Sequence, residues 1–98
     1  MEKKSKRVAI VVKDPGRFAE GLRSTLGLLL DNHYSSIFMM DQKIEATSKL
    51  EEDIEFLKDM EGEAYTNVAD NAEALDLELL SWEESVAKIK ENEIIIAF

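Results

Sequence analysis

Ninety-eight residues make one domain with a real core and leave no room for a second. Apolar residues at 45% and charged residues at 34% exclude a disordered chain, and no stretch approaches the roughly 20 apolar residues of a membrane span. The net charge of −9 argues against nucleic acid and anionic membranes as partners, and the lack of any cysteine excludes a persulfide carrier, a thiolate nucleophile and a disulfide.

The charge is unevenly placed. Residues 1–40 carry seven Lys/Arg against four Asp/Glu, and residues 41–98 carry five against seventeen. The basic start (Lys3, Lys4, Lys6, Arg7) reads as a solvated tip, disordered over residues 1–6. Only a short apolar run, Val8 to Val12, separates it from Lys13 and Asp14, where a signal peptide needs a longer one. A cytoplasmic protein is expected.

RVAIVV (Arg7–Val12) is a continuous β-branched run, suited to a parallel strand covered on both faces. Asp14 then reads as an N-cap with Pro15 at the first helical position. A helix is predicted over 16–31, with Phe18, Leu22, Leu26, Leu29 and Leu30 on one face. Gly21 and Gly27 cost helix propensity, which points to close packing at both. Asn32-His33 forms the exit turn, and YSSIFMM (Tyr34–Met40) is the second strand. Ser48 is expected to form a capping box with Glu51, opening a helix striped by Leu50, Ile54 and Leu57 and ended near Gly62.

Ala64–Thr66 is a short third strand. Asn67 is expected to cap a helical stretch through Leu75, with Val68, Ala72 and Leu75 inward. Leu77–Leu80 is a fourth strand. Ser81 and Glu84 form a second capping box, before a helix from Trp82 to about Glu91 with Trp82, Val86 and Ile89 inward. EIIIAF (93–98) is an apolar strand expected inside a sheet or against another subunit. The alternation predicts an α/β fold: a three-layer α/β/α sandwich around a mainly parallel five-stranded sheet.

Ligands of such sheets sit beyond the carboxyl ends of the strands. The candidate ligand-binding residues there are Asp14, Asp41 and Asn67. Asp14 and Asp41 have the residue type of a receiver-like Mg²⁺ site, but a cap and a polar loop account for them, so no metal is assigned. Lys13-Asp14-Pro15-Gly16-Arg17 precedes a helix start without a glycine-rich phosphate pattern. His33, the only histidine, lacks the partners for a metal or catalytic role and reads as a turn residue. Trp82, Ile95 and Phe98 are the interface candidates. No catalytic residue and no cofactor is assigned.

The opening strand RVAIVV, the segment STLGLLLDNHY, the strand end IFMMDQKI and above all the tail LELLSWEESVAKIKENEIIIAF resemble the DsrE/DsrF-like family, which includes the Tus and YchN-type proteins. The resemblance runs from Arg7 to Phe98. It implies a flavodoxin-like sandwich and assembly into dimers, trimers or hexamers. Several members relay sulfur through a cysteine after the third or a neighbouring strand. The matching stretch here is AYTNVADNAEAL, and Asn67 stands about where that thiol would lie. An amide carries no persulfide, so the implied role is that of the cysteine-free subunits, which are structural or docking partners. The expectation is a non-catalytic homo-oligomer, or a subunit joined to related DsrE-like chains and linked to sulfur relay. The alternative is a small-molecule or nucleotide-binding module using the loops at Asp14, Asp41 and Asn67.

Overall fold

The computed structural model describes residues 6–98, so most of the basic tip and its expected disorder lie outside the described residues. Lys6 itself is held, since its N–H donates to His33 Nδ1 at 3.0 Å. The described residues form five strands: β1 (Arg7–Val12), β2 (Tyr34–Met39), β3 (Glu63–Thr66), β4 (Glu78–Leu79) and β5 (Ile94–Ala97). Between them run α1 (Phe18–Leu30), α2 (Ser48–Asp59), α3 (Ala69–Leu75) and α4 (Trp82–Lys90), with a 3-10 turn at Pro15–Arg17 before α1. All strand pairs are parallel, in the order β4-β3-β2-β1-β5.

This order dictates the layers. Right-handed crossovers that step from β1 to β4 in one direction place α1, α2 and α3 on one face. The return from β4 to β5 runs the other way and puts α4 on the opposite face. The strand alternation agrees. Val8, Ile10, Val12, Ile37 and Met39 pack with Phe18, Leu22, Leu50, Ile54, Leu57 and Leu75 in the larger core. Ala9, Phe38, Met40, Tyr65 and Leu80 form the smaller one, with Val11 and Ile89 against it. Three helices thus cover one face and a single nine-residue helix covers the other.

Local rules decide most element ends. Asp14 accepts from Gly16 N–H at 2.9 Å and caps the 3-10 turn. Both bonds of the Ser81–Glu84 box are made. The second helix begins one residue earlier than the Ser48 box requires. Thr47 is extended and accepts from Leu50 N–H, so Ser48 is already helical and the box with Glu51 is not formed. Its end is also different in kind. Glu61, not Gly62, takes the left-handed conformation (φ 64°), and Gly62 serves by size, because a Cβ there would lie 2.6 Å from Leu29 Cδ1.

Four expectations of burial or close packing are corrected. Leu30 is exposed, since Thr25 and Leu29 occupy the stripe and one further residue rotates about 100° off it. Trp82 is 55% exposed, while Ser85 is the buried residue of α4. Gly21 is closely packed, with an added Cβ 2.7 Å from Val12 Cγ2, whereas Gly27 has open space around it. The largest correction concerns β5. It lies not inside the sheet but at its edge, with Ile94, Ile95 and Ile96 exposed to 40, 52 and 39%.

Candidate functional site

The topology singles out one crevice. The loops after β1, β2 and β3 lead to one face, and the loop after β4 leads to α4 on the other. The switch point therefore falls between the carboxyl ends of β3 and β4, where Thr66-Asn67 and Leu80-Ser81 meet. Leu80 N–H donates to Thr66 O at 2.9 Å and closes the backbone at this point.

Asp41 and Asn67 meet beside it. Asp41 follows β2 in the left-handed conformation (φ 70°), a region Asp tolerates. Its N–H donates to Asn67 Oδ1 at 2.7 Å, and Asn67 Nδ2 donates to Asp41 Oδ1 at 2.9 Å. Asn67 is therefore not the cap of α3. The N-cap position belongs to Val68, which makes no side-chain cap bond. Instead Thr66 Oγ1 accepts from Val68 N–H at 3.1 Å and holds the β3–α3 turn.

Behind this pair lies a residue that sequence reasoning passed over. Asn71 is fully buried in α3. Its Oδ1 accepts from Ile44 N–H at 2.7 Å, and its Nδ2 donates to Gln42 O at 2.7 Å and, at a longer 3.4 Å, to Thr66 Oγ1. It replaces the backbone partners that the irregular 40–47 segment cannot find within itself. The signal was present, because Asn71 stands three after Val68 and four before Leu75, a polar residue on an apolar stripe.

Asp14, the third candidate, is used as a cap at the end of β1. Beside it Arg17 bonds Glu20 at 2.9 Å, and its guanidinium lies 5.0 Å from the Phe98 ring centroid. Asp14 and Asp41 thus have separate partners. Among the described residues no group of three His, Cys, Asp or Glu side chains is placed to hold a metal ion. His33 sits in its turn, accepting from Lys6 and lying 3.3 Å from Asp31. Of the interface candidates, Phe98 packs against the larger core, while Trp82 and Ile95 are exposed.

A second polar cluster lies under α4. Tyr65 stacks on Phe38 with ring centroids 4.9 Å apart and donates to Glu63 at 2.5 Å. Lys88 Nζ lies 5.2 Å from the centre of its ring. Burial first, then the bond to Glu63, pushes the phenol pKa well above its ordinary value. The cavity here, about 30 Å³ between Arg7, Ser36, Lys88 and Glu91, is the size of a bound water rather than a substrate. Open grooves of about 370 and 410 Å³ lie away from the switch point, one between α2 and α3 and one at the amino end of β2.

Chemically, the switch-point residues form a braced scaffold. The Asp41 and Asn67 side chains bond each other, and the buried Asn71 locks the segment that follows Asp41. Comparison with known proteins finds no matching family model, no matching curated protein and no matching solved structure. Among the described residues no helix is long and apolar enough to cross a membrane.

Proposed function

We propose that this chain is a non-catalytic assembly subunit of the DsrE-like kind. It works in the cytoplasm by docking to copies of itself or to related α/β subunits, in a complex that handles sulfur. The observation that carries the reading is β5, an uncharged edge strand whose three isoleucines stand in solvent. An edge strand of this composition is a template for pairing, and proteins that stay monomeric blunt such edges with charge, proline or a bulge. The five-stranded parallel order and the Asp41–Asn67 pair after the second and third strands add support. The resemblance puts Asn67 about where several members carry their thiol, and Asn67 bonds Asp41.

Native mass spectrometry of the protein drawn gently from its own cells tests this. The expected result is a homo-oligomer or a complex with cysteine-bearing related chains. A monomer without a protein partner overturns the reading. A monomer carrying a small-molecule mass transfers the assignment to a binding module at the switch-point crevice, which the meeting of Asp41 and Asn67 there would favour.

A further inference from the structure

A cavity of about 410 Å³ opens at the amino end of β2, at the opposite end of the sheet from the switch point, and its size is that of a small-molecule site. Leu29 near the end of α1 and Met60 just past the end of α2 are its apolar walls. Ser35 lines it from β2. By strand alternation Ser35 shares the face of Ile37 and Met39, which α1 and α2 cover. Ser35 is only 6% exposed, and its hydroxyl is the one fully buried side-chain polar atom among the described residues that has no hydrogen-bond partner. A hydroxyl left unpaired inside a protein costs stability, and this one belongs to the wall of a space that a ligand can fill.

The charge around the cavity selects the ligand. α1 and α2 both end here, so two negative helix poles meet at it. Neither is offset by a cation of its own. α1 has no basic residue in its last turn, and Lys58 of α2 is bonded to Asp76 at 2.6 Å. Glu61 stands in the wall, one residue past the cap of α2, and is doubly unfavourable there. Its backbone is left-handed (φ 64°), and its carboxylate sits at a negative helix end. At the same position past α1 the chain uses Asn32, which suits that conformation. The other charged groups nearby are engaged elsewhere or lie outside the wall. His33 accepts from Lys6 N–H at Nδ1, and its other ring nitrogen lies 3.3 Å from Asp31. Glu63 borders the cavity, but its side chain takes the opposite face of the sheet, where Tyr65 bonds it. Lys6 and Arg7 are exposed at the start of β1 and do not line the cavity.

We propose that this cavity binds a small organic ammonium ion. The ammonium group bonds the Ser35 hydroxyl and the Glu61 carboxylate, and it supplies the cation that the two helix ends lack. The apolar body of the ligand lies between Leu29 and Met60, whose flexible thioether adapts to its shape. Among the described residues no three acidic, histidine or cysteine side chains converge, so the site suits an organic cation rather than a coordinated metal. The assignment goes beyond the assembly reading and stands apart from it, since none of these residues lies on β5.

Titration of the full isotope-labelled chain with phenethylammonium chloride, followed by NMR, tests this. Saturable shifts centred on the amides of Ser35 and Glu61 are expected. The neutral counterpart, 2-phenylethanol, is expected to bind about tenfold more weakly. Ser35→Ala and Glu61→Asn are each expected to weaken binding about fivefold while melting no lower than wild type, because each removes a cost to the fold. A purely structural role for either residue would lower Tm instead, and that result overturns its assignment to the site. Glu52→Gln makes the same charge change on an exposed part of α2 that does not line the cavity, and is expected to bind like wild type. The absence of saturable shifts, equal binding of the alcohol, or a Ser35→Ala variant that binds like wild type overturns the proposal. So does a Glu52→Gln variant weakened as much as Glu61→Asn, which marks general attraction to an acidic chain. Shifts centred on Asp41 and Asn67 overturn it as well, by placing the ammonium at the switch point.

Discussion

Replacing Asn71 by alanine removes the anchor of the 40–47 segment. Ile44 N–H, in a buried residue, loses its acceptor, and a buried donor without a partner costs about 1–3 kcal/mol. Gln42 is exposed, so water can replace the lost donor to its carbonyl, and that loss falls at about 0.5–1.5 kcal/mol. The bond to Thr66 at 3.4 Å is long and adds little. Together these come to about 2–4 kcal/mol, a large share of the roughly 5–15 kcal/mol that holds a domain of this size together. At roughly 4–8 °C per kcal/mol, Tm falls by about 8–32 °C. Urea unfolding followed by fluorescence and circular dichroism measures the loss, and hydrogen exchange at Ile44 locates it. Asn71→Asp adds a sign test. Its buried carboxyl would have a raised pKa, so its deficit relative to wild type should shrink as pH falls and the protonated group can donate to Gln42. A loss below about 1 kcal/mol, or an Ile44 amide that stays protected, would refute the anchoring role.

The two glycines of α1 should part company. Gly21→Ala meets Val12 Cγ2 at 2.7 Å and is expected to destabilise by about 1–3 kcal/mol, while Gly27→Ala meets nothing within 4 Å and should stabilise by about 0.5–1 kcal/mol through helix propensity. Equal effects in thermal melts would contradict the packing. The raised phenol pKa of Tyr65 contributes stability that is present below pH 10.0 and is lost as pH rises above it. Tyr65→Phe should abolish that alkaline decline while losing the bond to Glu63, as read by melting across pH 8–12. At the acid end, Lys58 bonded to Asp76 and the Ser81 N–H bonded to Glu84 hold both carboxyl pKa values low. Their stabilisation is present above the ordinary carboxyl pKa and fades as pH falls through the lowered values. The double variant Asp76→Asn, Glu84→Gln should therefore show a shallower acid slope in the same melts.

The layer architecture was legible because the alternation of β-branched runs with 3.6-period stripes is a local signal. The Asp14 cap and the Ser81–Glu84 box were legible for the same reason, since each uses groups within three residues. Thr47 and Ser48 compete for one cap with nearly equal chemistry, and the extended backbone at Thr47 settles it. Asn67 was misread because a local rule favours capping, while its actual partner, Asp41, is adjacent only once β2 and β3 are paired. Trp82 shows the same limit. Whether the first turn of α4 lies on the sheet depends on where a lone helix crosses it, and periodicity does not contain that. The exposure of β5 follows from strand order, a non-local property.

That order also sets a sequence of events in folding. Strands β1, β2 and β3 each pair with the strand that follows in the chain, so these contacts close the shorter loops. β5 must instead come back across the whole sheet, pairing Ile94 with Val8 and Ile96 with Ile10. Loop-closure entropy makes this the slow docking step. During synthesis the outer edge of β1 stays open until residues 94–97 have been made, and it is then that a β5 from a neighbouring chain could take the place by strand exchange. Slow refolding at high protein concentration should therefore yield swapped species whose amount falls on dilution.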